Sequence, residues 1–327
     1  MRPLNGPAER ERTGPRGRTD AREQTEASER TGPGERTETS ERTGASGVPG
    51  VPGAPAPRST APPRAPLTWL YAPGDRPEVV RKALASGADI VIVDLEDAVA
   101  PHRKAYALDA TADLLADDHP VPVHVRVHTP RDIPTLAPLP GLRGIRVPKV
   151  THATDIHRIA GLAPGLPLYP LLENALAVEH AYAIATAHPA VRGISLGEAD
   201  LRADLGVRED SGLDWPRGRV VVAARAAALP PPVQSVHPDV GDLDALAAGC
   251  ARGRAMGFFG RAAIHPRQLP VIERAYLPTQ QEIDAALEVV EAAATEQGAL
   301  ALPDGRFVDA AVVEGARRVL ALAARTG

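Results

Sequence analysis

The sequence predicts an α/β fold, specifically a (β/α)8 TIM barrel with a C-terminal extension. After residue 66, short runs of β-branched residues alternate eight times with stretches of helical periodicity. The eight units occupy about 210 residues, close to the roughly 250 residues of such a barrel. Charged or imidazole side chains stand at the carboxyl ends of most of the strands, where barrel enzymes carry their active sites. A doubly wound open sheet is the alternative, but segment 72–77 after the first strand lacks its glycine-rich phosphate turn.

The predicted strands follow one another at regular intervals. They cover residues 67–73, 89–97, 121–128, 144–150, 168–174, 191–200, 232–238 and 261–266. The segments between them have helical spacing, as in Val79, Val80, Ala83 and Leu84. Beyond the eighth strand the pattern predicts a helix at 278–297, a hairpin at 299–309 and a final amphipathic helix at 310–324.

These elements divide the chain into three parts. Residues 1–66 repeat Glu-Arg-Thr-Gly, then become rich in proline and glycine and contain no aromatic residue. Such a segment cannot bury enough apolar surface to order itself, so it is predicted to be a disordered tail. Residues 67–277 form the predicted barrel, and residues 278–327 form a C-terminal lid or oligomerisation extension.

The composition excludes several classes of protein. Cys250 is the single cysteine among 327 residues, so neither an intrachain disulfide nor a multi-cysteine metal site can form. A formal net charge of −4 argues against electrostatic binding of nucleic acid. No window approaches the roughly 18 consecutive apolar residues of a membrane span, and no signal-peptide pattern appears. We expect a cytoplasmic, soluble protein that binds neither nucleic acid nor membranes.

Two carboxylates at the ends of neighbouring strands form a candidate metal site. Glu173 closes the fifth predicted strand, and Asp200 closes the sixth. Adjacent strands of a parallel sheet can direct both side chains to one hard divalent cation, for which Mg²⁺ is the natural candidate. The alternative is a pair of solvated acids, or acids paired with arginine.

Seven short stretches carry a resemblance to a known family. They are LYAPGDRP at 70–77, VDLEDAV at 93–99, VRVH at 125–128, VPK at 147–149, LEN at 172–174, LGEADL at 196–201 and AIHPRQ at 263–268. In this order and spacing the chain resembles the citrate lyase β-subunit-like branch of the HpcH/HpaI aldolase superfamily. The resemblance runs from about residue 67 to the C-terminus and implies a magnesium-dependent lyase acting on CoA esters.

The resemblance also implies roles for the residues at the strand ends. Glu173 and Asp200 would bind Mg²⁺, and Arg126 would hold the substrate carboxylate, although an ion pair with an acid of the second strand is also open to it. Glu96 and Asp97 would hold metal-bound waters, with a helix N-cap as the alternative for Asp97. Lys149 would give electrostatic support, and a surface lysine is the alternative.

Two further roles depend on the resemblance alone. Arg76 would meet a phosphate of coenzyme A, unless it is an ordinary surface arginine at a helix start. Asp309 would exchange a proton with the acyl-CoA methyl group from a neighbouring subunit, unless it only caps the final helix. The resemblance implies a homotrimer or hexamer.

The resemblance leaves the reaction partly open. The predicted reaction is cleavage or formation of a 3-hydroxyacyl-CoA ester such as malyl-, citramalyl- or citryl-CoA. The alternatives are a Mg²⁺-dependent aldolase acting on free 2-keto acids and a non-catalytic subunit that binds an acyl-CoA or a partner. Asn174 and His128 depart from the family pattern beside proposed site residues, which puts the choice of substrate in doubt.

Overall fold

The computed structural model describes residues 65–295, 299–302 and 304–324. The predicted tail at 1–66 lies outside the described residues except for its last two. Within the described ranges the chain forms a curled parallel sheet covered by helices, followed by a small helical extension. None of the described helices combines the length and the apolar composition needed to cross a bilayer.

Seven parallel strands form the main sheet of the described residues. The strands are β1 (Thr68–Pro73), β2 (Ile90–Asp94), β3 (Val123–Arg126), β4 (Leu142–Val147), β5 (Leu168–Leu172), β6 (Ser195–Leu196) and β7 (Arg261–Ala263). Their order in the sheet is β6-β5-β4-β3-β2-β1-β7, so consecutive strands are neighbours and β7 pairs with β1. The predicted α/β class and the parallel sheet are confirmed.

The seventh of the eight predicted strands, at 232–238, does not form a ladder. It has one isolated bridge, between Gln234 and Arg261, in which the Ala262 amide donates to the Gln234 carbonyl at 3.0 Å. On the side that faces β6, the Ser235 hydroxyl donates to the Leu196 carbonyl at 2.5 Å. A side-chain hydrogen bond thus takes the place of a backbone hydrogen bond of the sheet. Prolines occupy positions 230–232, directly before and at the start of this segment, and proline has no amide hydrogen to donate to a ladder. The segment thus lies between β7 and β6 without being a regular strand.

Strands β2 to β7 each end two to four residues earlier than predicted, and two of these ends have a local cause. The second stops at Asp94, because the Asp94 carboxylate accepts hydrogen bonds from the amides of Glu96 and Ala98 and turns the chain. The sixth shrinks to Ser195–Leu196 between two glycines, Gly193 and Gly197, which weaken a strand.

Helices cover the outer face of the sheet. They are α1 (Pro77–Leu84), α2 (Lys104–Leu115), α3 (Ile133–Leu136), α4 (Ala153–Leu162), α5 (Ala175–Glu179), α6 (Ala181–Ala185), α7 (Glu198–Asp204), α8 (Asp214–Ala226), α9 (Leu243–Ala255) and α10 (Leu269–Tyr276). Alternate strand residues, such as Val91, Val93 and Val125, face these helices and form the main apolar core. The opposite strand positions face inward, where Trp69, Ile92 and their neighbours form a second apolar cluster.

The C-terminal extension has an apolar cluster of its own. It consists of α11 (Gln280–Thr295), an antiparallel hairpin of β8 (Leu300–Ala301) and β9 (Phe307–Val308), and α12 (Ala310–Ala323). Val289 of α11, Val308 of β9 and Ala316 of α12 are buried together. The predicted helix, hairpin and final helix are therefore confirmed within the described residues.

Candidate active site

A cavity of about 740 Å³ opens at the carboxyl ends of the strands. Five of the eight residues predicted for the site line it, namely Arg76, Asp97, Arg126, Glu173 and Asp200. Glu96 and Lys149 contact residues that line the cavity, and Asp309 does not line it. The strands thus bring most of the predicted residues to one place.

Glu173 directly follows β5 and is almost fully buried at the cavity wall. Its carboxylate accepts a hydrogen bond from the Lys149 amide at 2.8 Å, and 4% of the residue is exposed. A Cβ at Gly197 would lie 2.5 Å from the Glu173 Cγ, so the glycine after β6 makes room for this side chain. Burial, reinforced by the negative charges of Glu96 and Asp200, raises the pKa of Glu173 to about 7.

Asp200 lies in the first turn of α7, not at the end of a strand as the sequence predicted. It is exposed to the cavity and makes no hydrogen bond or ion pair with any described residue. The negative charge of Asp200 contributes to the raised pKa of Glu173, so the two carboxylates repel each other across the cavity. Because strand six is short, α7 rather than the strand carries this acid into the cavity.

The residues present fit a magnesium ion. Glu173 is a buried carboxylate whose pKa is raised first by burial and then by the charges of Glu96 and Asp200, and the Asp200 carboxylate has no partner among the described residues. The described ranges contain no group of three or more His, Cys, Asp or Glu side chains placed as a metal cage. Mg²⁺ commonly binds one or two protein carboxylates and keeps water or substrate oxygens as its other ligands.

Arg126 is held by three acids of the second strand and its loop. Its guanidinium forms a two-pronged pair with Asp94 at 2.8 and 2.6 Å, and it contacts Glu96 at 3.0 Å and Asp97 at 3.2 Å. Burial opposes the charge, but the hydrogen bonds and the charge of Asp94 outweigh it and raise the pKa of Arg126. The ion pair expected as an alternative is therefore present.

The acidic loop after β2 does not continue the alternation of a strand. The predicted strand 89–97, with its two-residue period, would send Asp97 to the side opposite Asp94 and Glu96, yet all three contact Arg126. The chain leaves the sheet at Asp94, so the two-residue period ends there. Asp97 caps no helix, because the next helical segment begins at Pro101 with Ala100 at its N-cap.

Lys149 links two of the carboxylates. Its ammonium group lies 2.8 Å from Glu96, while its amide donates to Glu173. The hydrogen bond to Glu96 raises the pKa of Lys149 although the side chain is 65% exposed. Its φ of 56° lies in the left-handed region that non-glycine residues seldom adopt. The backbone at Lys149 is therefore held in a costly conformation that aims its amide at Glu173.

The two residues predicted only from the resemblance lie at the edges of the structure. Arg76 is exposed at the rim of the cavity, 3.9 Å from Asp75. Asp309 is the N-cap of α12, and its carboxylate accepts hydrogen bonds from the amides of Ala311 and Val312 at 3.0 and 2.9 Å. The capping alternative for Asp309 is thus observed, and its proton-transfer role stays a prediction.

The two departures from the family pattern do not line the cavity. Asn174 caps α5, where its side chain accepts a hydrogen bond from the Ala177 amide. His128 is exposed, and its amide donates to Asp132. Neither side chain is among the cavity-lining residues.

The sequence analysis missed several residues that line the cavity. Arg146 on β4 is buried beside Trp69, and the two-residue period of a strand would have placed it on the inward face with Gly144. Arg217 of α8 forms a two-pronged pair with Glu198 at 2.9 and 2.7 Å, and no local pattern in the sequence indicates this contact.

Comparisons with known proteins agree with this arrangement. The family model described as HpcH/HpaI aldolase/citrate lyase matches residues 67–266. A (3S)-malyl-CoA thioesterase from Cereibacter sphaeroides is 35% identical over 267 residues, covering 78% of this chain and 93% of that protein. A citrate lyase subunit beta-like protein from Mycobacterium tuberculosis is 33% identical over 264 residues, covering 77% of this chain and 93% of that protein.

A solved structure shares the fold as well. The crystal structure of CitE from Mycobacterium tuberculosis, in complex with magnesium, acetoacetate and coenzyme A, has a TM-score of 0.69 and 33% sequence identity. The match covers 80% of this chain and 99% of that one. With its parallel sheet, its acid-lined cavity and these matches, the chain belongs to the HpcH/HpaI aldolase/citrate lyase family.

Proposed function

We propose that this protein is a magnesium-dependent carbon–carbon lyase that cleaves or forms a 3-hydroxyacyl-CoA ester such as malyl-, citramalyl- or citryl-CoA. One observation carries the proposal: Glu173 and Asp200 line one cavity, and their mutual repulsion helps to raise the pKa of Glu173 to about 7. A divalent cation is the counter-charge that such a pair lacks. Family membership and the CitE complex with magnesium, acetoacetate and coenzyme A support the same reaction class.

Glu173 and Asp200 are the proposed ligands of Mg²⁺, which when bound would supply Lewis acidity to a substrate carbonyl. Glu96 and Asp97 would hold its waters, and Lys149 would keep Glu173 in place through its amide. The proposed fold is the full (β/α)8 barrel, in which segment 232–238 completes the ring between β6 and β7. Such a barrel gathers these side chains at the carboxyl ends of its strands.

Arg126 is proposed to bind the substrate carboxylate at the mouth of the cavity. Its contact with Asp97 is the longest of its ion pairs, at 3.2 Å, and Asp97 is 59% exposed. A planar guanidinium can exchange this contact for an incoming carboxylate while it keeps the two-pronged pair with Asp94. Arg76 at the rim would meet a phosphate of coenzyme A.

Asp309 is proposed to exchange the proton of the acyl-CoA product. Cleavage breaks the bond between C2 and C3 of the hydroxyacyl group, and the hydroxyl oxygen becomes a carbonyl as its proton passes to water. The acyl-CoA carbon keeps the electron pair and takes up a proton from Asp309, which must enter the step protonated and regains its proton from solvent. Since Asp309 lies outside the cavity of its own chain, this role needs a neighbouring subunit of the proposed homotrimer or hexamer.

A mass-spectrometric screen tests the proposal. The protein is incubated with malyl-, citramalyl-, citryl- and hydroxymethylglutaryl-CoA, each with Mg²⁺ or with EDTA. We expect acetyl-CoA or propionyl-CoA to appear with at least one ester only when Mg²⁺ is present. Glu173→Ala and Asp200→Ala should abolish this turnover while circular dichroism shows a folded chain. Full activity of both variants in EDTA would contradict the proposed metal site.

Thioester hydrolysis is the second candidate, because the malyl-CoA thioesterase is 35% identical to this chain. Hydrolysis releases free coenzyme A and a hydroxy acid, whereas cleavage releases a shorter acyl-CoA, so the same screen separates the two reactions. Turnover of free 2-keto acids without any CoA ester would instead indicate an aldolase. Binding of CoA esters without turnover would indicate a non-catalytic subunit.

A further inference from the structure

A buried arginine that lines the cavity has no acidic partner among the described residues. Arg146 on β4 lines the cavity but is only 2% exposed. Its Nε and Nη2 are buried, and neither has a hydrogen-bond acceptor among the described residues. The five other arginines that line the cavity each have an acceptor or an ion-pair partner; they are Arg76, Arg126, Arg202, Arg217 and Arg261. Arg146 is therefore the cavity cation whose charge the described residues leave unbalanced.

Aromatic rings hold Arg146 without neutralising it. Its guanidinium carbon lies 4.4 Å from the ring centroid of Trp69 and 5.4 Å from that of Tyr169. The His124 ring packs against both, at centroid distances of 5.3 and 4.7 Å. We call Trp69, His124 and Tyr169 the aromatic floor. Gly144 makes room for it, since a Cβ there would lie 2.9 Å from both His124 and Tyr169.

The groups around Arg146 specify what the missing partner must be. Arginine is a hydrogen-bond donor only, and so is the indole of Trp69, whose Nε1 also lacks a partner among the described residues. Burial, together with the charge of Arg146, lowers the pKa of His124, which disfavours a second positive charge here. The Nδ1 of His124 is also buried without a partner among the described residues, and it can donate or accept a hydrogen bond according to the tautomer. The missing partner must therefore accept hydrogen bonds and balance one positive charge. A small anion meets both requirements, whereas a cation meets neither.

We propose that Arg146 forms an anion subsite that takes a carboxylate of the acid portion of the substrate. This inference rests on the proposed function and extends it. Arg126 has its donors engaged by Asp94, Glu96 and Asp97 and must give up the Asp97 contact to bind a carboxylate, whereas the Nε and Nη2 of Arg146 have no acceptor among the described residues. A planar guanidinium on a fixed aromatic floor is prepared to receive a carboxylate without losing side-chain entropy.

The subsite and the proposed metal ligands line the same cavity. The phenol of Tyr71 also lines this cavity, makes no hydrogen bond with a described residue, and is acted on by the charges of both Arg146 and Glu173. A ligand that fills the cavity could therefore contact the subsite and the carboxylates together. The same donors would also take a free inorganic anion such as chloride, so the experiment must separate the two sources.

Trp69 gives the experiment a reporter beside Arg146. The sequence contains two tryptophans, and the other, Trp215, is 60% exposed, so Trp215→Phe leaves Trp69 as the single emitter. In this background, malonate or chloride is titrated into the full-length protein in HEPES buffer with EDTA, and the emission of Trp69 is recorded. We expect a saturable change with malonate, because the anion would bind to the guanidinium that stacks on this ring.

Variants at two arginines of β4 complete the design. Arg146→Met should weaken malonate binding roughly 10- to 100-fold, the loss expected for a charge-assisted hydrogen bond. Arg146→Lys keeps the charge and should bind with intermediate affinity, which keeps the test decisive if the methionine variant does not fold. Arg143→Met is the matched control, since Arg143 lies on the same strand but is 45% exposed and pairs with Asp118 outside the cavity. This control should bind malonate as tightly as the parent.

Several results would overturn the inference. Unchanged malonate affinity in Arg146→Met, or no saturable change in the parent protein, would refute it. If chloride saturates the signal and malonate does not displace it, the subsite holds an adventitious ion only. In turnover assays, Arg146→Met should raise the KM for the acid substrate in the condensation direction and leave the KM for the acyl-CoA unchanged. The binding titration needs neither Mg²⁺ nor turnover, so it can fail or succeed independently of the proposed lyase activity.

Discussion

Replacing Glu173 by glutamine should stabilise the metal-free protein at alkaline pH relative to the wild type. Glu173 is 4% exposed, and its pKa is raised from 4.5 to about 7, first by burial and then by the charges of Glu96 and Asp200. The folded state therefore holds a proton on Glu173 that the unfolded state releases between pH 4.5 and 7. The stabilising effect of this proton is fully present below pH 4.5 and is lost as the pH rises through 7.

The size of the effect follows from the two pKa values. About 2.5 pH units separate them, and at 1.36 kcal/mol per unit this is about 3 kcal/mol over the whole range. Between pH 5.5 and pH 8, the wild type should lose about 2 kcal/mol of this free energy of unfolding through the loss of the Glu173 proton. Glutamine carries no titrating proton and can still accept the hydrogen bond from the Lys149 amide. The difference in the free energy of unfolding, variant minus wild type, should thus grow by about 2 kcal/mol across this interval.

Urea unfolding in EDTA at pH 5.5 and pH 8 measures this difference. Glu78→Gln is the matched control for the substitution itself, because Glu78 is an exposed glutamate whose carboxylate makes no hydrogen bond or ion pair with a described residue. Mg²⁺ at 100 times its dissociation constant should add about 2.7 kcal/mol to the wild type at pH 8 and much less to Glu173→Gln. A difference for Glu173→Gln that stays constant within about 0.5 kcal/mol between the two pH values would refute the reasoning that burial and the neighbouring negative charges raise the pKa of Glu173.

Two further substitutions test the surroundings of the site. Gly197→Ala places a Cβ 2.5 Å from the Glu173 Cγ, so it should cost about 1–3 kcal/mol in urea unfolding and weaken Mg²⁺ binding in calorimetry. Gly161→Ala is its control, because a Cβ in that exposed helical position meets no atom within 4 Å and should stabilise the protein slightly. Asp309→Ala should cost about 1 kcal/mol of stability through the lost cap of α12, while Asp309→Asn retains most of it. If Asp309→Asn keeps full turnover, the proton-transfer role of Asp309 is wrong.

The sequence was most informative where a strand-like pattern of apolar residues ends in a charged side chain. β-branched runs that end in acids or bases predicted both the parallel sheet and the edge that carries Glu173, Arg126 and the acidic loop after β2. The stretches that resemble the family fall at these same strand ends. Local patterns are enough to predict these site residues, because the end of a strand depends on residues close to it in the sequence. A parallel sheet then brings the ends of successive strands to the same edge.

The predictions failed where long-range contacts decide the structure. The prolines at 230–232 are a local warning against a regular strand at 232–238, but the contact of the Ser235 hydroxyl with the Leu196 carbonyl, 39 residues away, has no local signal. Asp200 was expected on a strand, but the turn at Gly197 begins α7 three residues earlier. The pair between Arg217 and Glu198 joins two helices across 19 residues, and neither residue has a local signal.

The described cavity holds two unbalanced charges of opposite sign. Glu173 and Asp200 carry an excess of negative charge on one wall, and Arg146 carries a positive charge on the aromatic floor, with Tyr71 subject to both. A metal ion alone would balance the negative charges of Glu173 and Asp200 but leave Arg146 unpaired. A simple anion would pair with Arg146 but leave the two carboxylates unbalanced. A ligand that satisfies both must combine a carboxylate with a second oxygen able to meet a cation, as a 2-keto acid or a 2-hydroxy acid does. A CoA thioester without a free carboxylate, such as acetyl-CoA, should therefore bind far less tightly than one whose acyl group carries a carboxylate, such as malyl-CoA. The fluorescence titration of Trp69 compares the two affinities directly.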